Sequence, residues 1–462
     1  MPVRRRSLLL AAAVLLAAAP PVRADDAGDP TLSALIQEAL DRNPSIRAAS
    51  ASAEAARARP DQASGLPDPL FSIDYTNDGW SPSLGTRDMT TLALMWSQAL
   101  PGRGGRRLRG DVRRAAARRA EQEIERARLS TVAAVRRGYY GLVLARDLLE
   151  LTREQEMLWK DVEQSARSRY GVGFGTQHDV LRAQVEVTRI REAQIEQESD
   201  VAIRSAELSR ALGRSTDAEI HTEAHLELRP LGRSLAELLQ EGERVSPELK
   251  AAAADIEGGD LSIALAQKER RPELSVQAGY MYRGGLDPMW QAGLGVSLPR
   301  HKRSTAALAE ATAERRAAEE RRASLALDLR LRTQERVARA VAVERIVELY
   351  GEGIVPLGRA ALQAALASYQ TGKLPFVSVL EALTQLYIDQ ATHLRHLASH
   401  ELLKAAIEEW SLEPTEVASS SMGGASRMGS RGPSAPANGG SGGMNGAGGP
   451  DASGGGSTSM AR

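Results

Sequence analysis

The chain has 462 residues, with 59 Lys and Arg against 59 Asp and Glu, so its formal net charge is zero. That balance excludes the basic excess of a nucleic-acid binder. The absence of cysteine excludes disulfides, thiolate metal sites, a cysteine nucleophile and an acylated N-terminal cysteine.

In chain order, the first feature is a targeting segment. Arg4, Arg5 and Arg6 precede the apolar run Leu8 to Ala19, and Val22-Arg23-Ala24 offers small residues for cleavage. Residues 1–24 therefore read as a signal peptide for export. The run is shorter than the ~20 residues that a helical membrane span needs. No later stretch is apolar enough either, so entry into a membrane has to use strands.

Next comes a helix of about 30 residues, then two short alternating strands. Phe71, Ile73 and Tyr75 alternate with Ser72, Asp74 and Thr76, and Leu92, Leu94 and Trp96 repeat the pattern. Such alternation fits a sheet with one dry and one wet face, as in a barrel between lipid and water. A long helix follows from about Arg103 to Arg169, on the order of 100 Å at ~1.5 Å per residue. A glycine-bearing break at Tyr170–Thr176 leads into a shorter return helix. There Val180, Ala183, Val187 and Ile190 step by three and four, as in lengthwise packed helices.

The same order then recurs with a period of roughly 200 residues. Thr31 to Glu38 matches Ser234 to Glu241, and Asn43-Pro44-Ser45-Ile46 matches Ser246-Pro247-Glu248-Leu249. Leu100-Pro101 matches Leu298-Pro299, and Tyr170, Gly173 and Val180 match Tyr369, Gly372 and Val379. The second strands carry Leu274, Val276, Ala278, Tyr280 and Tyr282, then Ala292, Leu294, Val296 and Leu298. A second long helix is expected from about Lys302 to Ser368. This divides the chain into a first repeat (25–212), a linker (213–233), a second repeat (234–411) and a disordered Gly/Ser-rich tail (412–462). Four strands cannot close a barrel, for which about eight is the minimum, so several chains have to share one.

Over residues 29 to 411 the chain resembles the TolC family of outer-membrane factors. The resemblance rests on the duplicated helix starts and on Gly65-Leu66-Pro67-Asp68-Pro69 before the first strand. It rests equally on Gln98-Ala99-Leu100-Pro101-Gly102 closing the second strand, and on the two breaks at Tyr170–Thr176 and Tyr369–Pro375. It implies an α+β membrane protein, a homotrimer whose chains share a twelve-stranded β-barrel continued by a barrel of long helical hairpins. It further implies an outer-membrane location with a tunnel in the periplasm, contact with outer-membrane lipid, and partners in a periplasmic adaptor and an inner-membrane pump. Tyr170, Val172, Gly173, Phe174 and Thr176, with Tyr369, Gly372, Lys373, Leu374 and Pro375, correspond to the adaptor-docking tips. Asp179 lies one turn beyond the first tip, where the family narrows its tunnel, and is either part of an acidic gate that favours cations or a stabiliser of the helix N-terminus. The Pro-Asp-Pro and Gln-x-x-Pro-Gly segments look most like the heavy-metal cation branch. The implied function is a passive exit duct for heavy-metal cations or small toxic compounds. A polypeptide duct of type I secretion and a periplasmic coiled-coil scaffold without a pore are the alternatives.

Other clusters carry weaker chemistry. His393, His396 and His400 share one helical face and can offer imidazoles for transient metal contact, or simply form a polar face. Gly171, Gly173 and Gly175 follow a helix and lack the phosphate-loop spacing. His221-Thr222-Glu223-Ala224-His225 has its Glu in the wrong place for a zinc-protease motif. Arg103, Arg106, Arg107, Arg109, Arg113 and Arg114 form either a headgroup contact or a solvated helix start. No set of acid, base, nucleophile and metal ligand converges, so neither an enzyme nor a cofactor site is expected.

Overall fold

The computed structural model describes residues 30–410, apart from 85–86, 103, 217–219, 221 and 223. The signal segment 1–24 and the tail 412–462 lie outside the described residues. Helices α1 (Pro30–Arg42) and α2 (Pro44–Ser64) precede strands β1 (Leu70–Thr76) and β2 (Thr91–Leu100). Helix α3 (Gly105–Gly171) then runs 67 residues and returns through α4 (Gln177–Leu212). The same succession repeats as α5 (Leu235–Val245), α6 (Pro247–Lys268), β3 (Glu273–Arg283), β4 (Leu286–Ser297), α7 (His301–Leu349), α8 (Val355–Gln370) and α9 (Phe376–Glu408).

Each repeat opens with two helices where one of about 30 residues is expected. The break is chemical. Pro44 and Pro247 each sit at the first helical position, where a missing N–H costs nothing. Asn43 Oδ1 accepts from the Ser45 amide at 2.9 Å, and its Nδ2 donates to the Ala211 carbonyl at 2.8 Å. The cap thus also ties the start of α2 to the end of α4. Ser234 and Glu237 close a reciprocal capping box on α5.

The unbroken helix expected over 302–368 is corrected. Helix α7 ends at Leu349, and a π-helical turn spans Tyr350–Ile354 before α8. Pro356 stands just after it and has no N–H to donate, so the α-helical ladder cannot pass through unchanged.

Apolar clusters hold the helices side by side, two of them large. In the first, Leu32, Leu35, Ile36 and Ala39 of α1 pack with Val135, Tyr139 and Leu142 of α3, Leu208 and Leu212 of α4, Val347 of α7 and Leu397 of α9. The second joins Trp159, Val162 and Ala166 of α3 with Ala183 and Val187 of α4, Leu362 and Tyr369 of α8, and Phe376, Val379 and Leu383 of α9. Arg–Glu and Arg–Asp pairs such as Arg118–Glu257 and Arg119–Asp255 link α3 to α6 at exposed positions. Pairs so exposed add little to stability.

The strands form one antiparallel sheet in the order β1-β2-β3-β4. Its register places Phe71 opposite Trp96, Ile73 opposite Leu94, and Tyr75 opposite Leu92. Leu94 lies opposite Tyr280 and Leu92 opposite Tyr282, while Tyr280 pairs with Trp290 and Val276 with Leu294. Every apolar position of the alternating pattern therefore falls on a single face across four strands.

Candidate functional site

That face of the sheet is bare. Ile73 is 73% exposed, Trp290 79% and Leu294 66%, and Phe71, Leu94, Tyr280 and Val296 are exposed as well. A continuous apolar patch spread over four strands is far more than a water-facing sheet carries. Strands β2, β3 and β4 have 10, 11 and 12 residues, which meets the ~9–11 needed to cross a bilayer at a tilt. The opposite face holds Ser72, Asp74, Ser97, Ser275, Gln277 and Gln291, together with small residues and Met95, Met281 and Met289. Glycine leaves room for its neighbours on this side. The Met95 sulfur lies across Gly279 and the Gln277 amide lies across Gly293, each in the space a Cβ would take. Side chains that lean over their neighbours are expected on the inner, concave face of a curled sheet. The outer strands β1 and β4 each have one neighbour within the chain, which leaves two hydrogen-bonding edges. Among the described residues no helix is long and apolar enough to cross a membrane.

The two glycine-bearing breaks lie together at the far end of the helices. The first connects α3 to α4. Gly173 takes a positive φ of 79°, and the amides of Phe174 and Gly175 both bond the Arg169 carbonyl, at 2.9 and 3.0 Å. The second connects α8 to α9, with Gly372 at φ 77° and Lys373 N bonded to Ser368 O at 2.8 Å. Tyr170, Val172 and Phe174 are exposed, as is Leu374, whereas Tyr369 is buried against Phe376. Thr176 caps α4 by accepting from the Asp179 amide at 3.2 Å. Asp179 sits in the first turn of α4. Burial pushes the Tyr369 phenol above its ordinary range, the Asp179 carboxylate adds to this and Arg169 opposes it.

Arg169 was not singled out by its sequence context, yet it joins the two breaks. Its guanidinium lies 4.5 Å from the Tyr369 ring centroid, donates to the Tyr369 carbonyl, and donates to the Phe174 carbonyl at 3.1 Å. Nothing about an arginine late in an Arg-rich helix announces this.

The three histidines of α9 do not share one environment. His400 is fully buried, and its Nε2 lies 2.9 Å from Glu344 of α7. His393 and His396 are half-buried beside the Tyr350 ring, and burial holds both below their ordinary value. Of the arginine cluster, Arg103 lies outside the described residues. Arg109 pairs with Glu269 at 2.9 Å, and Arg107 and Arg114 pair with Asp111. His221 and Glu223 also lie outside the described residues. Thr222 between them meets the Tyr139 hydroxyl at 2.9 Å.

Comparisons with known proteins agree with this architecture. Residues 35–214 match the model of the outer membrane efflux protein family. No curated protein sequence matches the chain. Solved structures with the same fold include VceC, an outer membrane protein of Vibrio cholerae, at 20% identity and a TM-score of 0.68 over 82% of this chain and 95% of that one. The CmeC outer membrane channel of Campylobacter jejuni matches at 15% identity and 0.68, over 84% and 86%. CusC, described as forming a transmembrane channel, matches at 17% identity and 0.66, over 82% and 91%. Over residues 35–214 the chain is thus similar to the outer membrane efflux protein family, and across both halves its fold is that of solved outer-membrane channels.

Proposed function

We propose that this chain is the subunit of a passive exit duct in a tripartite efflux system. The observation that carries the reading is the exposed apolar face of the four-stranded sheet, backed by a polar, glycine-bearing face. An open sheet with this polarity is stable in a membrane only when its edges are paired. Three copies joined edge to edge, β4 of one against β1 of the next, make a closed barrel of twelve strands. The outer face then meets lipid and the inner face water. The helices continue the duct through the periplasm, and α3 alone is about 100 Å long.

In this reading the two breaks are the docking tips for a periplasmic adaptor, and Tyr170, Val172, Phe174, Lys373 and Leu374 are the contact residues. Asp179, set near Tyr369 at the narrow end, adds negative charge that favours cations. The subunit performs no chemistry of its own, and an inner-membrane pump supplies the energy. Cargo is heavy-metal cations or small toxic compounds, a choice supported by the Pro67-Asp68-Pro69 and Gln98 to Gly102 segments. A pore-free periplasmic scaffold would leave the apolar sheet face in water, which disfavours it.

The test is growth of a deletion strain on graded copper, silver, zinc, cobalt and nickel and on a panel of hydrophobic drugs. Sensitivity restored by the intact gene supports the efflux duct, and sensitivity to metals alone supports the cation branch. Full resistance to every compound contradicts it and favours a polypeptide duct.

A further inference from the structure

Away from the sheet and the tips, a set of metal-ligating side chains meets partway along α3. Asp147 and Glu150 are one turn apart on that helix, and His225 reaches them from the segment between the repeats. One ligand atom from each of the three lies within 4.8 Å of the others. The Asp147 side chain is buried and held in place. Its Oδ2 accepts from the Leu226 amide at 3.1 Å, and its Oδ1 lies 2.9 Å from His225 Nδ1. Glu150 and His225 are exposed and free to adjust.

A cavity of about 510 Å³ opens beside the three residues, with Glu154, Arg359, Gln390 and His393 on its wall. Two independent features mark it. His393 is part of its wall, and the Nδ1 atom of that residue is buried without a hydrogen-bond partner. The wall also includes Gly351, in the π-helical turn Tyr350–Ile354, and such turns concentrate at functional sites. Three carboxylates against one guanidinium leave the cavity negative.

We propose that Asp147, Glu150 and His225 bind a divalent transition-metal ion that pins the inter-repeat segment to α3. One imidazole nitrogen with two carboxylates suits zinc, cobalt, nickel or copper(II) better than calcium or magnesium, which prefer oxygen alone. Oxygen and nitrogen ligands sit about 2.0–2.2 Å from zinc, so two of them on one ion lie on the order of 3.4 Å apart. The present 2.9 Å separation of His225 and Asp147 is close to that, and small side-chain rotations admit the ion. Three protein ligands leave a position open toward the cavity. This site is resident in the wall of the helical body and does not depend on what the duct exports.

The experiment uses untagged full-length protein in detergent, stripped with EDTA and titrated with zinc by calorimetry and with cobalt(II) by visible absorption. The expected result is one equivalent per chain. Glu150→Gln and His225→Ala, both at exposed positions, should each weaken binding tenfold or more, and His225→Ala should change the cobalt spectrum. Circular dichroism confirms that the variants fold. Absence of binding by the wild type, or equal affinity in the folded variants, overturns the proposal. Either result leaves the growth phenotype of the deletion strain, and with it the duct reading, unaffected.

Discussion

Gln98 Nε2 donates to the carbonyl of Pro67 at 2.7 Å, joining the segment that enters the first strand to the end of the second. Two of the segments that carry the family resemblance are thus one structural unit, a clasp where the sheet meets the helical body. Gln98→Ala removes the donor and should lower stability by about 0.5–1.5 kcal/mol, the ordinary net worth of one hydrogen bond. Protease cleavage between residues 61 and 69 in the detergent-solubilised protein should rise in step. An unchanged cleavage rate would show that the clasp is incidental.

The Arg169 link between the two helical breaks leads to a second expectation. Arg169→Ala strips donors from the Tyr369 and Phe174 carbonyls and removes the cation from the Tyr369 ring. The combined loss should be about 1–2 kcal/mol. Hydrogen exchange should accelerate in 170–176 and in 369–375 together. Faster exchange in only the first segment would mean that the breaks move independently.

Trp410 closes the helical body at the end of the described chain. It is 1% exposed, and its ring fills the space against Gly242 of α5, where an added Cβ would come within 2.9 Å. Trp410→Ala should cost about 3–5 kcal/mol through the cavity it leaves. Gly242→Ala should cost about 1–3 kcal/mol through overpacking. Equilibrium unfolding of the detergent-solubilised protein measures both, and a neutral Gly242→Ala would show that the ring moves aside freely.

His393 and His396 carry a pH dependence of defined sign. Burial favours their neutral forms and lowers both from the ordinary value of 6.5, with His396 also opposing the charge of His393. Their contribution to stability is therefore complete above 6.5. It is lost as pH falls through that value, because the unfolded chain takes up protons that the folded chain resists. His225, raised by its hydrogen bond to Asp147, acts in the opposite direction. The difference between wild type and the His393→Asn, His396→Asn double variant isolates the pair. The wild type should lose more thermal stability than the variant between pH 8 and pH 5. Parallel curves would contradict the assignment.

Much of this architecture is legible in the sequence because it follows from short periodicities. Alternation at Phe71, Ile73 and Tyr75 and at Leu92, Leu94 and Trp96 marks the two faces of the sheet, and the register merely aligns them. The long α3 can be read from uninterrupted helix formers. The π turn at Tyr350–Ile354 is harder to read, although Pro356 is its visible sign. The grouping of Asp147 and Glu150 with His225 cannot be read at all, since it depends on how the inter-repeat segment lies along α3. For the same reason, the common spacing of His393, His396 and His400 does not reveal that His400 is fully buried against Glu344 while the other two line a half-open surface.

The central claim is that one face of the sheet meets lipid and the other water. The absence of cysteine allows single spin labels to be placed without background. Leu94→Cys and Leu294→Cys report on the apolar face, and Gln277→Cys and Gln291→Cys on the other. In reconstituted vesicles, labels at 94 and 294 should collide readily with dissolved oxygen and poorly with a water-soluble nickel chelate. Labels at 277 and 291 should show the reverse. Equal access of the nickel chelate to both faces would contradict the membrane-barrel account.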